Sequence, residues 1–241
     1  MKKSNLKPWI FQAINLLLFL FVGIFVIVNA FIPKTPSPNE VFKESQYSVV
    51  ELKVQTEDNI VAYGTAVFIE EAGMLVSNAH MVSYKYSGIY REYDSFEIRF
   101  SFETYYRKAS LIKYDLIRDI SILKLDSISN AKNRKIIIGD SSKINSGDIV
   151  YAIGNGMNHG IGITKGIVSL PQVNITYDGN IRNVIQSDLI INEGNSGGAL
   201  LDEKGKLIGI TTFRTKDNSG NIIYGIAYAI PVNIVIEYIN S

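Results

Sequence analysis

The stretch INEGNSGGAL, residues 191–200, sets three glycines and Ser196 between two apolar runs. A serine hydroxyl is a weak nucleophile, and it attacks a carbonyl only when a neighbouring base, usually a histidine oriented by a third group, takes its proton. The chain has two histidines, so the choice of base is narrow. His80 lies in MLVSNAHMV, where an apolar strand ends in a turn or short helix, a place where a loop holds a reactive group on a rigid scaffold. His159 sits among glycines in GNGMNHGIG and reads as a turn residue. The glycines of EGNSGG permit turn conformations closed to other residues, so the N–H groups of Gly194 and Ser196 can converge on an oxyanion. A donor placed there is worth about 3–4 kcal/mol in the transition state. The third group should be a carboxylate at a strand end. Asp119, which opens DISILKL, fits, but Asp115, Asp94 and Asp148 are not separated from it by spacing. A glycine-rich turn with an idle serine is the bland alternative.

Composition removes other chemistries. The chain has no cysteine, hence no thiolate nucleophile and no Cys-ligated metal, and two histidines without an H-E-x-x-H leave no ligand cluster of recognisable spacing. The glycines of GNGMNHGIG do not space as a dinucleotide fingerprint. No metal and no cofactor are therefore expected. Lys plus Arg number 24 against 23 Asp plus Glu, with no long single-sign run, so nothing marks a nucleic-acid surface.

Short strands must position these residues. Val50, Leu52 and Val54 alternate with Glu51, Lys53 and Gln55, and Phe96, Ile98, Phe100 and Phe102 alternate with Glu97, Arg99, Ser101 and Glu103. Further apolar, β-branched runs stand at 61–69, 108–114, 119–125, 148–153, 163–169, 182–187, 205–213 and 222–230. Some ten to thirteen strands without βαβ alternation predict an all-β antiparallel barrel or sandwich. The last element is helical, with Pro231 in a first turn and Val232, Val235, Ile236 and Ile239 on one face. The tyrosine-rich segment 84–96 reads as a surface loop near His80.

The N-terminal region is different in kind. Residues 9–32, Trp9 to Ile32, carry no charge and are long enough to cross a bilayer, and Lys2, Lys3 and Lys7 in the basic segment 1–8 put that end in the cytoplasm. The reading is a transmembrane signal-anchor with everything downstream extracytoplasmic. Its rival is a signal peptide cleaved after Val28-Asn29-Ala30, leaving a secreted domain. Residues 33–44 contain PKTPSPNE and read as a stiff extended linker, with the folded domain over 45–241 beginning near Val41.

Taken in order, MLVSNAHMV, DLIRDISILKL, IIIGDSSKINSGDIVYAIGN, GITKGIVS, IQSDLIINEGNSGGALLDEKGKLIGI and YGIAYAIP resemble successive blocks of the trypsin-like serine protease domain of the HtrA/Deg family. The resemblance covers about residues 45–240. It implies two antiparallel six-stranded β-barrels, about 45–130 and 140–230, with the C-terminal helix 231–239 packed on the second. It implies His80, Asp119 and Ser196 as a triad, in the chain order of chymotrypsin-like folds, and Gly194, Asn195 and Ser196 as the oxyanion loop. Ile190 would form the base of an apolar primary pocket, with Thr211, Thr212, Ile226 and Ala227 in its walls.

The implied activity is that of a membrane-anchored serine endopeptidase acting on unfolded extracytoplasmic proteins. The alternative is a catalytically weak chaperone or protein-binding module of the same fold. A homotrimer is the oligomer the family suggests. Two departures stand out: Ala199 and Glu193 occupy positions where the family usually has proline. The chain also ends about ten residues after YAIP, which implies a protease domain without the PDZ domain of many HtrA proteins.

Overall fold

The computed structural model describes residues 8–31, 35–128, 134–177, 179–216 and 222–241, with side chains described except at 27–31 and 214–222. The chain divides into two units, 1–35 and 36–241. The first contains helix α1 (Pro8–Phe31). Its stretch Pro8–Val26 has a mean hydropathy of 2.3 and is long and apolar enough to cross a membrane by length and composition.

The second unit opens with a helix where an extended linker was expected, α2 (Pro38–Ser45). Ser37 Oγ accepts from the Glu40 backbone N–H, and Glu40 Oε2 accepts from the Ser37 N–H at 2.7 Å. This capping box, with proline at the first helical position, turns a proline-rich stretch into a helix start. Val41 and Ser45 are buried by it, so the folded unit begins before residue 45.

The first barrel follows. Its elements are β1 (Val49–Gln55), β2 (Val61–Phe68), β3 (Met74–Ser77), the short helix α3 (Ala79–Val82), a hairpin of β4 (Ser83–Tyr86) and β5 (Ile89–Glu92), then β6 (Ser95–Arg99), β7 (Arg107–Asp115) and β8 (Ile120–Leu125). The strands close in the order β1-β2-β3-β8-β7-β6, with β4 and β5 a separate two-stranded sheet. Val50, Leu52 and Val54 point inward against Phe68, Ile98 and Leu123, as the period-2 pattern requires. The tyrosine-rich segment is thus a hairpin rather than a loop. Ser87 and Gly88 both have positive φ at its turn, and β5 is exposed along its length, so it lacks the buried face by which sequence patterns reveal strands.

The second barrel comprises β9 (Ile149–Gly154), β10 (Gly162–Tyr177), β11 (Asn180–Ser187), β12 (Ala199–Asp202), β13 (Leu207–Lys216) and β14 (Ile222–Pro231), closed in the order β10-β11-β14-β13-β12-β9. Val150, Ala152, Val168, Ile185, Leu200 and Ile208 fill it. A third cluster lies between the barrels, where Val49, Val67, Val76 and Ile120 meet Tyr151, Ile153, Leu201 and Ile210. The closing helix α4 (Val232–Asn240) adds Val232, Val235 and Tyr238 to this seam. It therefore packs on both barrels rather than the second alone, and Lys113 Nζ of β7 donates to the Tyr238 carbonyl at 2.8 Å. Pro231 precedes the helix as its N-cap residue.

Candidate active site

The seam between the barrels gathers the candidate residues. His80 is held by α3, where the Ser77 hydroxyl donates to Thr65 O and the Asn78 side-chain amide donates to Asp119 O at 3.1 Å. Asp119 precedes β8 with φ +59°, a left-handed conformation that strains a residue with a Cβ. That conformation turns its carboxylate inward, where the side chain is 2% exposed. His80 Nδ1 lies 3.0 Å from both carboxylate oxygens, and the His80 backbone N–H donates to Oδ1 at 3.0 Å. Thr212 Oγ1 on β13 donates to Oδ2 at 2.6 Å. Burial pushes the Asp119 carboxyl up, but the charge and hydrogen bond of His80 and the Thr212 hydroxyl outweigh it and hold the group below the usual carboxylate range.

The rival carboxylates are engaged elsewhere. Asp115 pairs with Arg118 at 2.7 Å within its own turn, Asp94 accepts from the Glu57 N–H, and Asp148 accepts from the Asn145 N–H. His159 ends a short 3₁₀ turn and is exposed.

Ser196 stands on the turn before β12. Gly197, at φ +82°, lets that turn press onto the first barrel, since a Cβ there would strike Ser77 Oγ and Thr65 O. Thr65 fastens the contact: its N–H donates to Ser196 O at 2.9 Å, its Oγ1 donates to Gly194 O at 2.7 Å, and the same Oγ1 accepts from the Asn155 N–H. The Ser196 hydroxyl donates to the Thr212 carbonyl at 2.8 Å. Serine and His80 line one cleft of about 160 Å³ together with Tyr177, Ile191, Asn192, Glu193, Thr212 and Phe213.

The candidate oxyanion loop is set from the opposite side. The Glu193 carbonyl accepts from the Met157 N–H at 2.7 Å. Because a trans peptide is planar, the Gly194 N–H of that same unit points away from the Met157 turn. The Asn195 N–H donates to Asn192 O at 3.0 Å, so it is spent inside the turn, although the resemblance placed Asn195 in the oxyanion loop. Asn195 instead packs its side chain beside Gly154 and Gly156, where a Cβ would come within 3.0 and 3.1 Å of Oδ1.

The pocket expectations need correction. Ile190 is 61% exposed and Ile191 is 7% exposed and lines the cleft, because an offset of one residue in extended chain reverses the face. Thr211 is buried with its hydroxyl donating to Asn195 O, and Ala227 belongs to the second barrel's core; neither lines the cleft, nor does Ile226. Thr212 does, joined by two residues the sequence reading did not single out, Tyr177 and Phe213, whose rings stack at 4.1 Å. Their partnership joins positions 36 apart in the chain, and no local pattern signals it.

Comparison with known proteins converges on one family. The family model described as trypsin-like peptidase domain matches residues 64–210. A probable periplasmic serine endoprotease, DegP-like, of Buchnera aphidicola subsp. Baizongia pistaciae is 37% identical over 175 residues, covering 72% of this chain and 35% of that protein. The periplasmic serine endoprotease DegP of Salmonella typhimurium is 36% identical over 182 residues, covering 74% and 35%. This chain thus spans about a third of the length of these relatives. The solved structure of the HtrA-type protease AlgW with tripeptide is similar at TM-score 0.70 and 30% identity, covering 86% of this chain and 63% of that one.

Proposed function

Because this chain belongs to the family of trypsin-like peptidase domains, and its relatives are serine proteases of the HtrA/Deg type, we propose that it is a serine endopeptidase that cleaves unfolded extracytoplasmic proteins through His80, Asp119 and Ser196. The observation that carries this reading is the double contact of His80 Nδ1 with the buried Asp119 carboxylate, in the same cleft as Ser196.

The mechanism follows from those groups. Asp119 fixes the imidazole with its Nδ1 proton toward the carboxylate, which leaves Nε2 free as the base. As a peptide carbonyl enters the cleft, the Ser196 hydroxyl turns from the Thr212 carbonyl to Nε2; hydrogen bonds of this kind are often formed only with substrate bound. His80 takes the proton while Ser196 Oγ attacks. The imidazolium is stabilised by Asp119, and the Gly194 and Ser196 N–H groups receive the oxyanion. His80 then protonates the leaving amine, and a water repeats the sequence to release the acyl group. The apolar walls, Ile191 and Phe213, favour Val, Ile, Ala or Leu before the scissile bond. Helix α1 acts as a membrane anchor, with the lysine-bearing segment that precedes it in the sequence on the cytoplasmic side.

Labelling by a fluorophosphonate probe tests this reading. The wild-type chain should label at Ser196, and Ser196→Ala should not. Absence of labelling in the wild type, with binding of unfolded protein retained, would leave a binding module of the same fold.

A further inference from the structure

We infer that Arg182, on β11 of the second barrel, is a positioning residue for Asp119: its guanidinium grips the turn that delivers the carboxylate and sets the charge that His80 faces across it. This rests on reading His80, Asp119 and Ser196 as the triad, and it assigns a role to a side chain outside that set.

Arg182 is 9% exposed on its side chain, a placement that a guanidinium occupies only when its donors are answered. Three of its edges are used on the Asp119 turn. Nε donates to Ile117 O at 3.0 Å, Nη2 donates to Leu116 O at 3.0 Å, and Nη1 lies 3.5 Å from Asp119 Oδ2. Its guanidinium carbon lies over the rings of Tyr177 at 5.1 Å and Phe213 at 5.9 Å, cation–π contacts that add to the hold on the fork. Asp119 needs such bracing because it sits in a left-handed conformation that its own backbone disfavours. Residues 116 and 117 lie on the first barrel and Arg182 on the second, so the same side chain also ties the His-Asp half of the site to the half that carries Ser196.

Its charge has a second effect. Among the residues with described side chains, the charged or titratable groups that touch the pair or line its cleft are His80 on α3, Tyr177 on β10, Arg182 on β11 and Glu193 in the turn before Ser196, while Asp115 pairs with Arg118 in the turn itself; Thr212 and Phe213 of β13 are uncharged. Among the described residues, Arg182 is the cation that approaches the Asp119 carboxylate besides His80. A positive charge there offsets part of the carboxylate's pull on the imidazole across it.

Variants of the 241-residue chain in detergent separate the two effects. Arg182→Met keeps the stem and removes the charge and the fork; Arg182→Lys keeps the charge and loses the fork. With fold confirmed by circular dichroism, Arg182→Met should lower kcat/KM about 10-fold and move the acid limb of its pH profile upward by about half a unit. Arg182→Lys should lose rate with its acid limb in place. The charge effect is also read without turnover: in a Ser196→Ala background, the NMR titration of the His80 imidazole should shift upward on adding Arg182→Met or Arg182→Gln, the latter serving should the Met variant not fold. An unmoved His80 titration would overturn the inference, as would equal rate losses in Met and Lys variants with neither acid limb displaced. Should Ser196→Ala fail to abolish turnover, the triad reading itself falls, an outcome distinct from either.

Discussion

Thr212 and Asp119 meet across the barrel seam through a 2.6 Å hydrogen bond, Thr212 Oγ1 donating to Asp119 Oδ2, while the carbonyl of the same threonine accepts from Ser196 Oγ at 2.8 Å. One residue of β13 therefore touches both ends of the proposed triad. Its hydroxyl satisfies a buried carboxylate oxygen, and its backbone carbonyl accepts the serine hydroxyl.

Replacing Thr212 by Val removes the hydroxyl and leaves the carbonyl. A buried acceptor left unsatisfied costs about 1–3 kcal/mol. We expect kcat/KM to fall about 10-fold on an apolar peptide substrate, with Thr212→Ser close to wild type. A Val variant as fast as wild type would remove the hydroxyl from the mechanism.

Asp119→Asn keeps the shape and loses the charge, and the amide can donate to Nδ1, which would place the imidazole proton on Nε2. The expected loss in kcat is about 10⁴-fold, as is that of Ser196→Ala. The double variant should be no slower than Ser196→Ala alone, because the residues act as a unit. Steady-state turnover of unfolded β-casein gives all three values.

The correction of the pocket floor is testable directly. Ile191→Ala enlarges the cleft and should shift cleavage toward larger apolar side chains, whereas Ile190→Ala, at an exposed position, should leave the preference unchanged. Cleavage-site profiling of a denatured protein by mass spectrometry distinguishes them. A wild-type preference for Lys or Arg would contradict an apolar pocket.

Acid should unfold the unit 36–241 progressively. Burial raises the Asp119 carboxyl, yet His80 and Thr212 bring it below the ordinary range, and Asp115 is likewise held low by the Arg118 and Ile117 contacts that outweigh its burial. A carboxyl whose folded pKa lies below its unfolded value of about 3.9 stabilises the fold above that pH. Its contribution is lost as pH falls through the folded values, because the unfolded chain takes up protons that the folded one refuses. Urea midpoints should therefore be lower at about pH 3 than at about pH 5, and Asp119→Asn should flatten that dependence.

Much of the architecture was legible in the chain. Period-2 alternation marked β1 and β6, apolar β-branched runs marked most other strands, and the resemblance, with His80, Asp119 and Ser196 in chymotrypsin-like order, implied two barrels rather than a subtilisin-like or hydrolase sheet. Local chemistry governs such features, so local sequence reports them. Where local signals conflicted, the reading slipped. The prolines of 33–40 suggested an extended linker, yet Ser37 and Glu40 close a capping box around Pro38, and the exposed β4–β5 hairpin has no apolar face to betray it.

The residues that complete the site were decided by tertiary structure. Thr65 supports the Gly194 carbonyl from 129 positions away, Thr212 reaches Asp119 across 93, and Arg182 grips the turn at 116 and 117 across 66 and 65. None has a spacing or composition that distinguishes it from any other buried threonine or arginine. Sequence by itself determined which groups are candidates for the proposed chemistry, because a nucleophile and its base must be of particular types. Which carboxylate serves, which isoleucine lines the pocket and which N–H is left for an oxyanion depended on how two closed barrels press together, since hydrogen bonds of about 3 Å are set by packing between segments that are remote in the chain.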